Sequence, residues 1–359
     1  MGVKAVKMLS QTIVALITLG MAIVSFFASR AKFLTPSQFS IVSILGLLIV
    51  IILFINIFLT LYWASKLKAW TFVSIAALLM FIPYISSMVQ ISFKTPPPFN
   101  DKDICVVTYN IHNFKGIGTM TENFRYIAFA LAEKDPDIVC FQEFAEDKDF
   151  NRDSMASFMR LPYFAVGQNG NNSLDIAVFS RYPIISSESQ IYPDTHNGSM
   201  FCDIKVKGKI IRLFNCHLQT TNLNQSQREL QAIKHFYDPI TFANAVQNIY
   251  NTLQINSQKR AKQAEAVNKL IIATKEPIIV CGDLNDTPSS YTYNQVQANL
   301  NDGFQDAGRG FGATYRYILN LLRIDYIFHS KQTLTCVNYI TEDLDYSDHK
   351  PVFAFYKFK

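Results

Sequence analysis

Three long apolar stretches occupy most of the first hundred residues. They cover residues 8–28, 39–63 and 69–93, and none of them contains an acidic residue. Each stretch is long enough to cross a hydrocarbon core of ~30 Å as a helix. A signal peptide has one short apolar core and a cleavage site, whereas only brief polar breaks separate these three stretches. The pattern predicts a membrane anchor of three transmembrane helices over residues 1–94, and helices buried in a core are the alternative.

Basic residues in the polar breaks bear on the orientation in the membrane. They precede the first stretch and occur in both breaks, so the counts for the two sides nearly tie. The very short break Lys66-Leu67-Lys68 favours a cytoplasmic turn. This predicts an integral protein of the cytoplasmic membrane whose C-terminal part lies outside the cytoplasm.

A proline run separates this part from a different pattern. Pro96, Pro97 and Pro98 cannot continue a helix, which predicts an extended linker over residues 95–102. Short apolar runs rich in β-branched and aromatic residues follow, and they predict strands. The runs lie at 104–109, 137–142, 174–180, 210–216, 278–281, 323–328 and 352–356. Many strands with few helices between them favour packed sheets covered by helices, in one domain over residues 103–359.

The charge distribution separates the two parts further. The chain has 359 residues and a formal net charge of +5, but seven of its 33 basic residues and none of its 28 acidic ones lie in residues 1–100. Residues 101–359 therefore hold 26 basic residues against 28 acidic ones. A domain that binds nucleic acid non-specifically is usually basic, so the balance lowers that expectation without excluding it.

Cysteine usage gives no sign of a thiolate metal site. All six cysteines follow residue 100, most of them in apolar runs, and no CxxC pair or Cys/His metal spacing occurs. They are expected to be small buried hydrophobic residues. A disulfide stays open, because a domain outside the cytoplasm would permit one.

Several of the predicted strands end in a polar residue. Asp283 and Asn285 follow the run that ends at Cys281, and their spacing directs both side chains to the same side of an extended segment. A polar turn after a core strand is the alternative for such a pair taken alone. If the strand ends lie side by side, they form a rim of carboxylates, carboxamides and two histidines. Such a set suits Mg²⁺ or Mn²⁺ and phosphoester hydrolysis.

Six short polar motifs occur in order along this part of the chain. They are Thr108-Tyr109-Asn110, Gln142-Glu143, Asn215-Cys216-His217-Leu218, Gly282-Asp283-Leu284-Asn285, Arg323-Ile324-Asp325-Tyr326 and Ser347-Asp348-His349. Together they resemble the endonuclease/exonuclease/phosphatase superfamily, which includes deoxyribonucleases, abasic-site endonucleases, neutral sphingomyelinases and inositol-polyphosphate 5-phosphatases. The resemblance covers residues 103–359 and leaves the apolar leader outside. It implies an α/β fold, a four-layer sandwich of two packed sheets flanked by helices.

The resemblance also implies a metal site. It makes Glu143 the main ligand of Mg²⁺ or Mn²⁺, with Asn110 beside it and Asp348 near the ion. Other cofactors are not expected.

The remaining motif residues would have catalytic roles by the same resemblance. Asp283 would align or deprotonate the attacking water, and Asn285 would hold the phosphoryl group. His349 would contact the scissile phosphate while Asp325 fixes its tautomer. His217 would donate to a non-bridging oxygen. Taken singly, Asp325 can instead pair with a neighbouring arginine and His217 can be a satisfied core histidine.

The expected function is that of a membrane-anchored, metal-dependent phosphodiesterase or phosphatase. Its phosphoester substrate would be a lipid headgroup or a nucleic acid, its helices would contact membrane lipid, and no obligate protein partner is inferred. A membrane-tethered nuclease is the alternative, and a non-catalytic scaffold with the same fold is a third reading. The presence of every motif acid and histidine argues against the scaffold.

Overall fold

The computed structural model describes residues 2–91, 103–169, 172–193, 195, 197–221 and 239–359, so the predicted linker at 95–102 lies outside the described residues. The helices are α1 (Val3–Arg30), α2 (Ser40–Leu47), α3 (Ile49–Ser65), α4 (Trp70–Leu79), α5 (Ile82–Met88), α6 (Met120–Ala132), α7 (Arg152–Met159), α8 (Pro239–Ala273), α9 (Tyr291–Gln297) and α10 (Gly303–Ala307). The strands are β1 (Val89–Gln90), β2 (Ile104–Asn110), β3 (Ile138–Gln142), β4 (Tyr163–Asn169), β5 (Asn172–Ser180), β6 (Ile184–Ile191), β7 (Gly198–Val206), β8 (Lys209–His217), β9 (Ile278–Asp283), β10 (Asn301–Asp302), β11 (Gly310–Phe311), β12 (Asp325–His329), β13 (Leu334–Thr341) and β14 (Val352–Phe358).

The chain divides into two compact units. The first consists of Met1–Ser86, Asn222–Ala261 and Pro288–Asn294. The second consists of Ser87–Thr221, Lys262–Thr287 and Gln295–Lys359, and it contains all the strands named above.

The apolar helices of the first unit differ from the prediction of three continuous spans. One helix, Lys4–Phe33, is long and apolar enough to cross a membrane. The second and third stretches each fold as a bent pair, with 69° between α2 and α3 and 49° between α4 and α5. Each pair is either a broken span or a re-entrant loop. The chain has three spans only if each bent pair is one broken span. Of the three predicted spans, only the first therefore forms one continuous helix that is long and apolar enough to cross a membrane.

Two buried hydrogen bonds join α1 to α3. The indole N–H of Trp63 donates to Thr18 Oγ1 at 2.7 Å, and the Asn56 amide donates to Ser25 Oγ at 2.9 Å. In each helix the two bonded residues are seven positions apart. The earlier residue of α1 bonds to the later residue of α3, and the later one to the earlier, so α1 and α3 run antiparallel. Polar groups without a hydrogen-bond partner cost free energy in an apolar environment, and pairing across the helices in this way avoids that cost.

The second unit contains two six-stranded mixed sheets. One has the strand order β10-β12-β9-β8-β7-β6, and the other has the order β13-β14-β2-β3-β5-β4. Within each sheet one pair is parallel, β8 with β9 and β2 with β3. A two-residue ladder of β1 and β11 stands apart from both sheets.

Apolar side chains of both sheets form one core, and helices cover an outer face. The core cluster between the sheets includes Val106, Cys140, Leu213 and Cys281. On its other side, the β2 sheet packs with α6 and α7 in an aromatic-rich cluster that includes Phe124. Two mixed sheets flanked by helices confirm the predicted α/β sandwich.

A capped helix and buried cysteines are local features of this fold. Thr119 caps α6 and Glu122 completes the capping box through the backbone N–H of Thr119. All six cysteines are free and buried, as expected of small hydrophobic residues. Burial raises the pKa of the Cys216 thiol well above its ordinary value, which keeps this thiol protonated and unreactive.

A buried polar contact ties the two sheets together below the site. The Gln142 side chain on β3 donates to Asn215 Oδ1 on β8 at 2.7 Å. Asn215 in turn donates to the carbonyl oxygens of Phe141 and Ala177 at 2.9 and 3.0 Å. Because buried amides are costly when unpaired, these bonds favour one relative position of the sheets.

Candidate active site

Three charged or ionisable residues lie opposite one another at neighbouring strand ends. Parallel strands β8 and β9 pair His217 with Asp283, and β12 pairs Asp325 with the same aspartate. Gly282 has φ of 146°, and a Cβ at this position would clash with the carbonyl oxygen of Cys216. The close approach of β8 and β9 at the site therefore requires glycine.

Asn110 connects this edge to the other sheet. Its Nδ2 donates to Asp283 Oδ2 at 3.0 Å and to Glu143 Oε1 at 3.1 Å. Glu143 directly follows β3, whose last residue Gln142 pairs with Asn110. One amide thus holds two of the predicted site carboxylates close together.

Glu143 is surrounded by groups that favour its charged form. Asn113 Nδ2 donates to Oε2 at 2.9 Å, His112 Nδ1 lies 3.6 Å from Oε2, and His217 Nε2 lies 3.8 Å from Oε1. Burial raises the pKa of Glu143, but the interaction with His217 and the hydrogen bond from Asn110 outweigh burial and hold this pKa below its ordinary value. The carboxylate is therefore ionised and available at neutral pH.

His349 and Asp325 form a buried acid–histidine pair. His349 Nδ1 lies 2.9 Å from Asp325 Oδ2 and 3.2 Å from Oδ1, while Nε2 lies 3.7 Å from Asp283 Oδ2. Burial lowers the pKa of His349, but the two carboxylates outweigh burial and raise it to about 10. Burial raises the pKa of Asp283 to about 6, against the opposing charge of His349 and with support from Asp325. A protonated imidazole thus lies beside a carboxylate that titrates close to neutral pH.

The loop after β9 places Asn285 against Asp283. Asn285 has φ of 52°, and its backbone N–H donates to Asp283 Oδ1 at 2.7 Å. Its side-chain Nδ2 donates to the carbonyl oxygen of Leu218 at 3.0 Å and to Asp283 Oδ2 at 3.2 Å. The left-handed backbone, which asparagine tolerates better than most residues, turns this amide back toward the strand end.

Asp348 lies at the edge of an open cleft beside these residues. Its Oδ1 is 3.4 Å from His112 Nδ1, and the preceding Ser347 donates through Oγ to the carbonyl oxygen of Asn110 at 2.7 Å. The cleft has a volume of about 350 Å³. Its lining consists of His112, Lys115, Gly116, Ile117, Arg316, Tyr317, Asp345, Ser347 and Asp348.

The contacts described above join all eight residues singled out in the sequence, with Asp348 connected through His112. They are Asn110, Glu143, His217, Asp283, Asn285, Asp325, Asp348 and His349. Their roles stay predictions. The sequence left open an ion pair between Asp325 and a neighbouring arginine. That neighbour, Arg323, instead pairs with the buried Asp302.

Other residues of the site had no distinct signal in the sequence. The Tyr315 ring packs edge-on against His349 with 5.1 Å between centroids, and Thr314 Oγ1 accepts from the backbone N–H of Asp325 at 3.1 Å. His112 and Asn113, which contact Glu143, were indicated only by their position next to Asn110. Tyr315 lies on a different loop from His349, so only the fold brings its ring to the histidine.

The donor groups fit a hard divalent ion. Glu143 and Asp348 offer carboxylate oxygens, and both carboxylates lie within 3.6 Å of one His112 nitrogen. The Asn110 carboxamide oxygen accepts from the backbone N–H of His112 at 3.0 Å and keeps a second lone pair for an ion. Oxygen donors of this kind suit Mg²⁺ or Mn²⁺. Asp283, Asp325 and His349 form a second group whose ligand atoms lie within 4.8 Å of one another.

The chain belongs to the Endonuclease/Exonuclease/phosphatase family, whose model matches residues 107–349. Members of this family are hydrolases that act on phosphoesters. A second family, described as a domain of unknown function (DUF8431), matches residues 11–88. Among curated proteins, none matches the chain.

Solved structures share the fold of about 70% of this chain. D. rerio TDP2 complexed with a single-strand DNA product is 18% identical with a TM-score of 0.51, over 72% of this chain and 100% of that one. The human Nocturnin catalytic domain with bound sulfate is 18% identical with a TM-score of 0.50, over 72% and 95%. A beta toxin variant from Staphylococcus aureus with bound magnesium ions is 17% identical with a TM-score of 0.50, over 71% and 100%. At these identities the likeness shows the fold alone.

Proposed function

We propose that this chain is a membrane-anchored phosphoester hydrolase that depends on a divalent metal ion. The observation that carries the proposal is the Asn110 amide, which links Glu143 to Asp283 while the His349–Asp325 pair lies 3.7 Å from the same aspartate. A metal-binding carboxylate and an acid–base group are thus adjacent. That adjacency is what hydrolysis of a phosphoester needs.

The metal ion would be held by Glu143, Asn110 and Asp348. Mg²⁺ is the proposed ion and Mn²⁺ is compatible with the same donors. When bound, the ion supplies positive charge that polarises the phosphoryl group. The beta toxin neighbour binds magnesium ions, which agrees with this choice.

Asp283 would act on the attacking water. With its pKa raised to about 6 by burial, this carboxylate is mostly ionised at neutral pH and accepts a proton far more readily than an ordinary aspartate. Asn285 is held against Asp283 by a 2.7 Å bond from its backbone N–H, and its amide would hold the phosphoryl group beside the water.

The two histidines would stabilise negative charge as it develops on the phosphoryl oxygens. His349 stays protonated because Asp325 and Asp283 outweigh its burial, and it would donate through Nε2 to the scissile phosphate. Asp325 fixes this orientation through Nδ1. His217 would donate to a non-bridging oxygen.

Residues 1–94 would anchor the enzyme and residues 103–359 would catalyse, with residues 95–102 as the linker. The helix Lys4–Phe33 is long and apolar enough to cross a membrane, which supports the anchor. We retain the orientation with the catalytic domain outside the cytoplasm as part of the proposal.

The test is hydrolysis of bis(p-nitrophenyl) phosphate by the full chain in detergent micelles. Rates with Mg²⁺, with Mn²⁺ and with excess chelator are compared, and readdition of the ion should restore the rate. A rate that chelator leaves unchanged contradicts the metal site. Absence of hydrolysis of this ester and of plasmid DNA and phospholipid vesicles would contradict the enzyme itself.

A further inference from the structure

The part of the chain that follows the membrane helices has its most exposed apolar side chains near the cleft or just after α5. Among the described residues after Ser86, the most exposed large apolar side chains are Leu319 (88%), Ile117 (83%) and Ile91 (79%). Ile117 lines the cleft, and Leu319 lies two residues after the cleft residue Tyr317. Exposed apolar side chains that cluster near a functional cleft mark a surface for an apolar partner.

The loop with Leu319 presents consecutive apolar residues to the outside. Tyr317 is 54% exposed and Ile318 is 36% exposed. Ile318, Leu319 and Asn320 all have left-handed backbone angles, with φ between 54° and 58°. This conformation is uncommon for a β-branched residue such as isoleucine, so the loop does not follow from local preference.

Backbone hydrogen bonds connect the segment before this loop to the end of the last apolar helix. Val89 pairs with Phe311, and the backbone N–H of Gly312 donates to the carbonyl oxygen of Met88, the last residue of α5, at 2.9 Å. Paired strands lie about 5 Å apart. Phe311 therefore lies about 5 Å from Val89, which is the residue that directly follows α5. Phe311 and Val89 are themselves 47% and 37% exposed.

One lysine of the cleft beside this surface is available to an anionic headgroup. Within the described part of the chain, Lys115 is exposed and makes no ion pair. Arg316 is instead engaged by Asp343 and Asp345 at 2.5 and 3.0 Å. The cleft reaches the proposed metal site through His112 and Asp348.

We infer that the exposed residues Val89, Ile91, Ile117, Phe311, Tyr317, Ile318 and Leu319 form a lipid-facing rim, and that the substrate is a membrane phospholipid. Its acyl chains would stay among the rim side chains while its phosphate enters the cleft. The inference rests on the proposed hydrolase for the reaction, but the rim itself is testable without catalysis. The occupant is bilayer lipid, because the rim begins at the residue after the apolar helix α5 and the same chain has a helix that is long and apolar enough to cross a membrane.

The first test measures where the rim lies, independent of activity. Leu319→Cys is labelled with the environment-sensitive dye NBD in the full chain, reconstituted in nanodiscs of zwitterionic and anionic phosphatidyl lipids. The six native cysteines are buried, which leaves the introduced thiol as the reactive one. Ile185→Cys is the matched control, since Ile185 is 55% exposed and lies outside the rim.

For a side chain within the membrane interface, NBD at position 319 should emit at shorter wavelength than NBD at the control position. Doxyl-labelled lipids should quench it about twofold or more beyond the control. Equal emission and quenching at the two positions would overturn the inference, whatever the enzyme does.

The second test measures substrate preference. Leu319→Asp should lower the rate with phospholipid vesicles, relative to bis(p-nitrophenyl) phosphate, by about tenfold, because burial of one leucine is worth about that factor or more. Ile185→Asp should change this ratio by less than about twofold, because Ile185 lies outside the rim and surface substitutions usually have small effects. Cleavage of plasmid DNA in preference to lipid would overturn the lipid substrate, whereas loss of all hydrolysis by the parent chain would contradict the proposed function instead.

Discussion

The side-chain amide of Asn110 donates to Asp283 Oδ2 at 3.0 Å, and this bond joins the ends of strands that belong to different sheets. The same amide reaches Glu143 at 3.1 Å. The two carboxylates therefore keep their separation only while the sandwich is packed. In this account, the packing of the two sheets positions the metal site relative to the acid–base group.

Glu143→Gln should weaken binding of Mg²⁺ or Mn²⁺ by at least about tenfold, because it removes the charge of the main proposed ligand while keeping its shape. The measurement is isothermal titration calorimetry of the metal ion into the full chain. Glu188→Gln is the control, since Glu188 is an exposed residue of β6 outside the site. Equal affinities of both variants would show that Glu143 is not a ligand.

Asn285→Gly and Asn285→Ala separate the side chain from the backbone. Both remove the amide proposed to hold the phosphoryl group, so both should lower kcat by about tenfold or more. Only alanine is strained at φ of 52°, which should cost about 1 kcal/mol of stability relative to glycine. The measurements are kcat and the free energy of unfolding of both variants. A glycine variant with the parent's kcat would remove the side chain from the mechanism.

Asp325→Asn should move the alkaline limit of activity toward neutral pH. Burial lowers the pKa of His349, but Asp325 and Asp283 outweigh burial and raise it to about 10, so the charged imidazole persists until the pH rises through that value. Without the Asp325 charge the pKa falls, and the charged form is lost at lower pH. The measurement is kcat/KM for the soluble ester from about pH 5 to about pH 10.

Asp306→Asn is the control for this profile. Asp306 lies 3.3 Å from Nε2 of His329, a buried histidine outside the site. Its removal should leave the alkaline limit in place, because no proposed catalytic group loses a charged neighbour. An Asp325→Asn profile that matches the parent would contradict the role of the acid–histidine pair.

Much of the second unit could be predicted from strand patterns. Apolar runs that end in Asn110, His217 and Asp283 predicted strand ends with polar residues, and parallel or antiparallel pairing then brings such ends to one edge. The sandwich follows from many short strands with few helices. The motifs provided the family, and the fold agrees with it.

Other features of the site depend on contacts that the sequence does not display. Tyr315 reaches His349 from a separate loop, and His112 approaches Glu143 with a left-handed φ of 47° that no local preference indicates. Arg323, two positions from Asp325, instead pairs with Asp302 twenty-one residues away. Tertiary packing selects these partners, and near neighbours in sequence do not reveal them.

The bends of the apolar helices were missed for another reason. Hydropathy measures the length of an apolar segment but contains no information about its direction. Pro83 lies in the first turn of α5 and is a signal for the 49° bend before it, because proline does not continue a helix from the preceding turn. The 69° bend falls at Leu48, two residues after Gly46, without a proline in either helix.

A surface ion pair of the second unit should stabilise it in a pH-dependent way. Asp203 on β7 pairs with Arg212 on β8 at 2.8 Å, and the hydrogen bond from Arg212 lowers the pKa of Asp203 despite partial burial. A lowered pKa gives stability that is present above the ordinary aspartate pKa and is lost as pH falls through the lowered value. Solvent screening limits the effect to about 0.5 kcal/mol.

The measurement is a double-mutant cycle of Asp203→Asn and Arg212→Gln in denaturant unfolding. The coupling energy should be positive near neutral pH and should vanish once the pH has fallen through the lowered pKa of Asp203, where the aspartate is protonated. A coupling that persists in acid would show that the contact is not an ion pair.

Asp283 and His349 are proposed to perform chemistry on a phosphoester at a metal site. The most direct measurement compares the metal-dependent rate with bis(p-nitrophenyl) phosphate for the full chain, Asp283→Asn and His349→Gln. His329→Gln is the control, because it also removes a buried histidine with a carboxylate partner. The account predicts losses of at least about a hundredfold for the two site variants and less than about fivefold for the control, after correction for folded protein. Site variants that hydrolyse the ester as fast as the control would contradict it.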